Sequence, residues 1–304
     1  MATKYWIGTT GNWGTSGNWS PANAPSSGDT VIFDGRVSQS AITAISEGND
    51  QSAVDLAAMY IMNSYTGSIG TASYPLLINV AGKLIVEGTG TYHIKAGNAS
   101  SANHITELYV NAPRATVNLS TENTQANTIT STWVHAVSAL NIAANTKCTN
   151  VYIHPSTGSA TVTMLAGCTT TLFEQSGGTS TIYSAPTTLN LTGGTCTFGG
   201  TADDVEAATD TITTATITGG TFNWTATAAP APVITTLNVW GGTFDASDHG
   251  KTITTAPTIT NSSFGPKATI NLDNGYANFV FTNAPHRYGT TTIKTSTGQA
   301  LSLA

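Results

Sequence analysis

Side chains able to do acid–base, nucleophilic or metal chemistry are few in these 304 residues: 16 Asp and Glu, 10 Lys and Arg, 6 His and 3 Cys. The densest acidic run is TADDVEAATD, from Thr201 to Asp210, where Asp203 and Asp204 are neighbours. Hydrolysis of a glycosidic bond needs carboxylates that converge on one bond. Adjacent residues of a strand point to opposite faces, so Asp203 and Asp204 make no such pair within a strand. His93, His104, His135, His154, His249 and His286 show no metal-ligand spacing, and surface or packing positions are expected for them. Cys148, Cys168 and Cys196 form no C-x-x-C pair and cannot all pair with one another. They read as small buried hydrophobes whose free thiols fit a reducing compartment. Gly pairs are frequent but no helix follows them, so no phosphate-binding loop is expected, and no cofactor.

The elements that must carry these residues are strands. Charged residues make up only 9% of the chain, mean hydropathy is -0.01, and about one residue in five is Thr. Thr is β-branched and suits a pleated, half-exposed surface. A Thr-rich, Gly-punctuated, charge-poor chain is all-β, with hydroxyls rather than ions on its surface. The net charge of -6, and only three arginines (Arg36, Arg114 and Arg287), argue against nucleic-acid binding. No run of about 18 apolar residues suggests a membrane span. The opening Met-Ala-Thr-Lys-Tyr-Trp lacks the apolar core of a signal peptide, which reads as assembly in a cytoplasm.

A repeat dominates the second half. The phrases ALNIAANT from Ala139, TVTMLAGC from Thr161, TLNLTGGT from Thr188, TATITGGT from Thr214 and TLNVWGGT from Thr236 share one form, and TITNSSFG from Thr258 is a degenerate version. Each is a short alternating strand, then two small residues that permit a sharp bend. The small pairs begin at Ala144, Ala166, Gly193, Gly219, Gly241 and Ser263, spaced by 22, 27, 26, 22 and 22 residues. Such a period predicts a parallel β-helix in which each coil lands on the one below. Leu140, Ile142, Val162, Met164, Leu189, Leu191, Ile217, Leu237 and Val239 should point inward, with ladders of Thr, Asn and Ser outside. The two longer spacings should be loops, with Thr201–Asp210 as one of them. SGGTSTIY from Ser176 reads as another corner of the same coil. Leu76–Leu119 reads as earlier, less regular coils, and Ser52–Asn63 as either a short helix or a strand.

Before the coils lies a Gly-, Ser- and Asn-rich stretch holding Trp6, Trp13 and Trp19. An open β-helix end exposes strand edges and core, so a segment of this kind serves as a cap; a docking surface for a partner is the other reading. Trp6-Ile7-Gly8, Asn12-Trp13, Asn18-Trp19-Ser20-Pro21, Pro25 and Gly28-Asp29-Thr30-Val31-Ile32-Phe33 together resemble the opening of phage-encoded and autotransporter-like repetitive β-proteins. There a W-x-G…NW…P…GD-x-V-x-F phrase precedes a β-solenoid. The later GGTF phrases are similar to those of β-helical phage fibres, spikes and head-decoration proteins.

The expected fold is therefore a single-stranded right-handed parallel β-helix (β-solenoid) with a Trp-rich N-terminal cap. Residues 1–60 form the cap or docking segment, 61–282 roughly ten coils, and 283–304 a C-terminal cap or extension. The resemblance implies a non-enzymatic virion protein, a decoration or cement protein on a phage head, assembled in the host cytoplasm. It implies a homotrimer and a partner that is the major capsid protein or another virion protein, with no nucleic acid and no membrane. Trp6, Trp13, Trp19 and Phe33 are the candidate docking residues. The alternatives are a tail fibre or spike that binds a host glycan, and a β-helical polysaccharide-degrading enzyme. For the enzyme, Asp248-His249-Gly250 resembles part of a motif of the polygalacturonase-like enzymes, but without its companion acidic and basic motifs in order. Thr292-Ile293-Lys294 lacks the preceding Arg, and three scattered arginines do not supply the base that β-helical lyases use. A bacterial surface adhesin would require an export signal or anchor.

Overall fold

The structure is a computed structural model that describes residues 1–8, 10–36, 45–97, 105–121, 128–144, 146–156, 159–199, 211–225, 233–247, 258–272, 278–295 and 300–303. Alternation of polar and apolar residues decides the local structure. In Thr188–Leu191, Leu189 and Leu191 are buried while Thr188 and Asn190 are half-exposed. The same period of two recurs in Thr30–Phe33, Thr91–Ala96, Thr195–Phe198 and Thr221–Trp224. The strands build a β-solenoid of about 10 turns. All nine residues expected inside are buried.

The chain divides into two compact units, Met1–Thr163 and Met164–Ala304. In the first, one parallel ladder runs from Thr3–Trp6 through Thr30–Phe33 and Ala58–Ile61 to residues 84–86, 108–110, 132–134 and 151–153. A second joins Thr91–Ala96 to residues 116–121 and 139–142. A third pairs Asp50–Leu56 with residues 77–80. Each turn therefore bends across three faces. Parallel pairing already includes Thr3–Trp6, so the Trp-rich segment belongs to the ladder. The Ser52–Asn63 stretch is strand: Asp50–Leu56 and Ala58–Ile61. Alternation of Met59 and Ile61 into the core, and pairing on both sides, override its helix-like spacing.

In the second unit one ladder stacks Leu172–Gln175, Thr188–Leu191 and residues 214–217, 236–239 and 261–264. Another places Thr179, Thr195, Thr221, Thr243, Thr269 and Thr292 in one register, the hydroxyl ladder the sequence led us to expect. Between the two ladders the chain turns on glycine. Gly178, Gly194, Gly220 and Gly242 have φ of 71°, 77°, 75° and 73°. A Cβ at Gly220 would lie 2.5 Å from the Gly194 carbonyl oxygen, and one at Gly242 2.5 Å from that of Gly220. The corners thus stack backbone on backbone, which only glycine allows.

Two expectations change. The long interval between Ala166 and Gly193 is not a loop: it holds the corner at Gly177 and Gly178 and the strands Leu172–Gln175 and Thr179–Ile182. The aligned phrases also occupy different strands. In the second unit those from Thr188, Thr214 and Thr236 enter the glycine corner. In the first unit the phrase from Ala139 is the far half of Ile129–Ile142, after that strand's bend. Alternation followed by a small residue suits any strand that ends at a corner, so phrase alignment merges the two. Thr201–Asp210, proposed as an extruded loop, lies outside the described residues.

Candidate functional site

The four residues singled out at the N-terminus come together, and they do so inside the protein. Trp6, Trp13, Trp19 and Phe33 are all essentially fully buried. Trp19 packs edge-on against Trp6 at 5.0 Å and against Trp13 at 4.7 Å between centroids. Phe33 lies 6.0 Å from each of the three, and Tyr65 lies 5.3 Å from Phe33. The polar residues around them tie the loops. Asn18 is buried and donates from Nδ2 to the carbonyls of Thr10 and Asn12, and the Trp19 Nε1–H donates to the Trp13 carbonyl at 2.7 Å. Asp29 accepts from the backbone N–H groups of Ala2 (2.7 Å) and Ser26 (3.1 Å) and from the Ser26 hydroxyl. Burial alone would raise its pKa, and these hydrogen bonds more than offset that, leaving it lowered. Gly8 is forced by the cluster, since a Cβ there would fall 2.2 Å from the Trp6 ring. As folded, the four rings present no surface to a partner.

Other aromatics of the first unit face outward. On the first ladder, the outward positions are Tyr5, Ile32, Tyr60, Ile85, Tyr109, Trp133 and Tyr152, matched in register one after another. All seven are half-buried, forming one apolar stripe along the coils. Its end is stacked: Tyr109 and Trp133 lie 6.2 Å apart with planes 9° from parallel, and Trp133 and Tyr152 4.0 Å apart at 11°. Lys83 Nζ sits 5.2 Å from the Tyr109 centroid and pairs with Glu107 at 3.5 Å. The Tyr109 hydroxyl donates to the same carboxylate at 3.2 Å. Stacking along the ladder turns ring faces toward each other and leaves ring edges outward. The sequence reading missed this stripe because its members are a full coil apart and coil length varies, from 28 residues between Ile32 and Tyr60 to 19 between Trp133 and Tyr152.

Other chemically suggestive residues are dispersed or lie outside the described residues. Asp203, Asp204, Asp248, His249 and His104 are among the latter. Thr292-Ile293-Lys294 is a strand paired with residues 269–271, its lysine exposed. Among the described residues no group of three or more His, Cys, Asp or Glu could hold a metal ion, and no helix is long and apolar enough to cross a membrane. His135 Nδ1 lies 3.1 Å from the His154 carbonyl oxygen, and burial lowers the pKa of His93. The three cysteines are buried; burial pushes the Cys196 thiol up to about 12, where it is no nucleophile. No protein-family model, no curated protein and no solved structure matches the chain. What the geometry defines is a β-solenoid with an aromatic first turn and an outward apolar stripe.

Proposed function

We propose that the protein is a non-enzymatic structural component of a phage particle: a decoration or cement protein on the head, its copies associating side by side as a trimer. The observation that carries this reading is the stripe Tyr5–Ile32–Tyr60–Ile85–Tyr109–Trp133–Tyr152. Six coil steps of about 4.8 Å give it a length of about 29 Å. A contiguous apolar strip of that kind, flanked by polar and charged residues such as Thr30, Lys83, Glu107 and Ser131, marks a protein contact. Sugar platforms need a free ring face, and here the faces of Tyr109, Trp133 and Tyr152 are taken up by stacking on one another. A stable interface takes roughly 800 Å² per partner, so in this reading the strip serves as the core and the flanking polar and charged residues as the rim. With only 9% charged residues, copies repel one another little. The likeness of the opening phrase to phage β-proteins supports the setting, and in this reading the Trp-rich turn caps the coil stack.

Sedimentation velocity on the full chain tests the association. The wild type is expected to run as a trimer, and the double variant Tyr109→Ser with Trp133→Ser as a monomer with unchanged circular dichroism, since a buried interfacial Trp contributes about 2 kcal/mol or more. Co-sedimentation of the wild type with undecorated heads tests the setting. A monomeric wild type would remove the first part of the reading, and absence from the pelleted heads the second.

A further inference from the structure

We propose that the first unit carries a binding site for a neutral saccharide, in an open cleft where two successive coils turn. The cleft has a volume of about 420 Å³ and is formed by Ser46–Asp50 from one turn, Ser73–Pro75 and Leu77 from the next, and Lys95. That volume lies within the roughly 300–1,000 Å³ of small-molecule sites. The walls are set by the fold. Leu77 and Lys95 are ladder partners, and the Glu47 carbonyl accepts from the Trp13 N–H at 3.0 Å. Gly48 has φ of 62°, and a Cβ there would fall 2.6 Å from Asn12 Oδ1, so the turn is fixed by glycine. Asn49 Nδ2 donates to the Tyr74 carbonyl at 2.9 Å and holds the second turn over the first.

Two features point to a sugar. Tyr74 is 71% exposed, the most exposed aromatic among the described residues, and it stands at the mouth of a cleft, not in a stacked row. A free ring can take the apolar face of a pyranose, and amphipathic Tyr is suited to one wet and one dry side. The polar lining brings the carboxylates of Glu47 and Asp50 as acceptors, the hydroxyls of Ser46 and Ser73 as groups that accept or donate, and Lys95 as the charged donor. A ligand rich in hydroxyl donors meets that lining; an anionic one meets two carboxylates against one ammonium.

This site does not rest on the structural role proposed above and is tested separately. The full chain would be titrated with the methyl glycosides of glucose, galactose, mannose and N-acetylglucosamine, and with glucuronate, by saturation-transfer NMR and calorimetry. At least one neutral glycoside is expected to bind, with glucuronate at least about tenfold weaker. Tyr74→Ala and Asp50→Asn should each weaken binding about tenfold without moving the melting temperature, because both side chains lie on the surface. Trp240→Ala, an exposed aromatic outside the cleft, should bind as the wild type does. Binding of none of the glycosides, glucuronate binding as tightly as the neutral sugars, or full binding by Tyr74→Ala would overturn the assignment.

Discussion

Trp19 shows how a polar, glycine-rich stretch can be the most densely packed part of a chain. Its ring is wedged between Trp6 and Trp13, and its N–H is satisfied by the Trp13 carbonyl. Truncation to Ala should therefore cost about 3–5 kcal/mol, read as a lower denaturant midpoint for the first unit. Trp19→Phe should cost less, since it keeps the packing and loses one hydrogen bond; equal losses for the two would mean that ring packing contributes nothing. Electrostatics act more narrowly. The Arg36 guanidinium, with the Ser64 hydroxyl, holds Asp34 down to about 2. Because the folded pKa lies below the ordinary aspartate value of 3.8, the unfolded chain binds the proton more readily between those values. Stability is thus complete above about pH 4 and is lost as pH falls toward about 2. Melting curves across that window should fall more steeply for the wild type than for Asp34→Asn, which keeps the dependence from Asp29. Parallel curves would assign Asp34 no role. At this scale the sequence was a partial guide. It drew attention to Trp6, Trp13, Trp19 and Phe33 as a group, and the fold does bring them together. Nothing in a local window could show that their rings turn inward, or that Asn49, Tyr74 and Lys95 meet, because their neighbours are set by coil lengths that no motif records.

The corner is the element on which the solenoid turns. Gly194, Gly220 and Gly242 each combine a positive φ with a neighbouring carbonyl where a Cβ would go. Gly220→Ala should accordingly destabilise by about 2 kcal/mol or more through strain and a displaced backbone. Gly17→Ala is the matched control: a Cβ there meets nothing within 4 Å and φ is not positive, so the change should be neutral or slightly stabilising. Equal effects in urea denaturation would show that the corners tolerate side chains. These corners were legible because GGT recurs beside an alternating strand, and the inward set from Leu140 to Val239 followed from period two alone. Registration of coils was not legible. Glu174 pairs with Asn190 after 16 residues and Asn190 with Thr216 after 26, so a fixed period misplaces corners even where every strand is read correctly. Beneath the short coil, Gln175 and Ser180 are buried and bonded to each other at 2.6 Å, polar residues that alternation assigns inward without saying how they are satisfied.

Across the whole molecule, contacts are long-range in sequence yet each strand pairs only with the turns next to it. In such an architecture stability is close to a sum of turn and nearest-neighbour terms, and damage should stay local. The Gly220 corner makes this testable, because its neighbours are known: residues 188–198 on one side and 233–245 on the other. Native-state hydrogen exchange on Gly220→Ala should show faster exchange at Thr188–Leu191, Thr195–Phe198, Thr211–Ile217, Thr221–Trp224 and Val233–Asp245. Thr30–Phe33 and Ala58–Ile61 should keep wild-type protection, since they belong to the other compact unit and are held by the aromatic turn around Trp6, Trp13 and Trp19. The size of the effect should decay over the flanking turns, as it does when opening propagates between neighbours. Uniform acceleration along the chain would instead describe one cooperative unit, and the corner strain would then be felt at Trp19 as well. In that case the amides of Trp6 and Trp19 would lose protection by the full amount measured at the corner, while local behaviour leaves them at the wild-type rate.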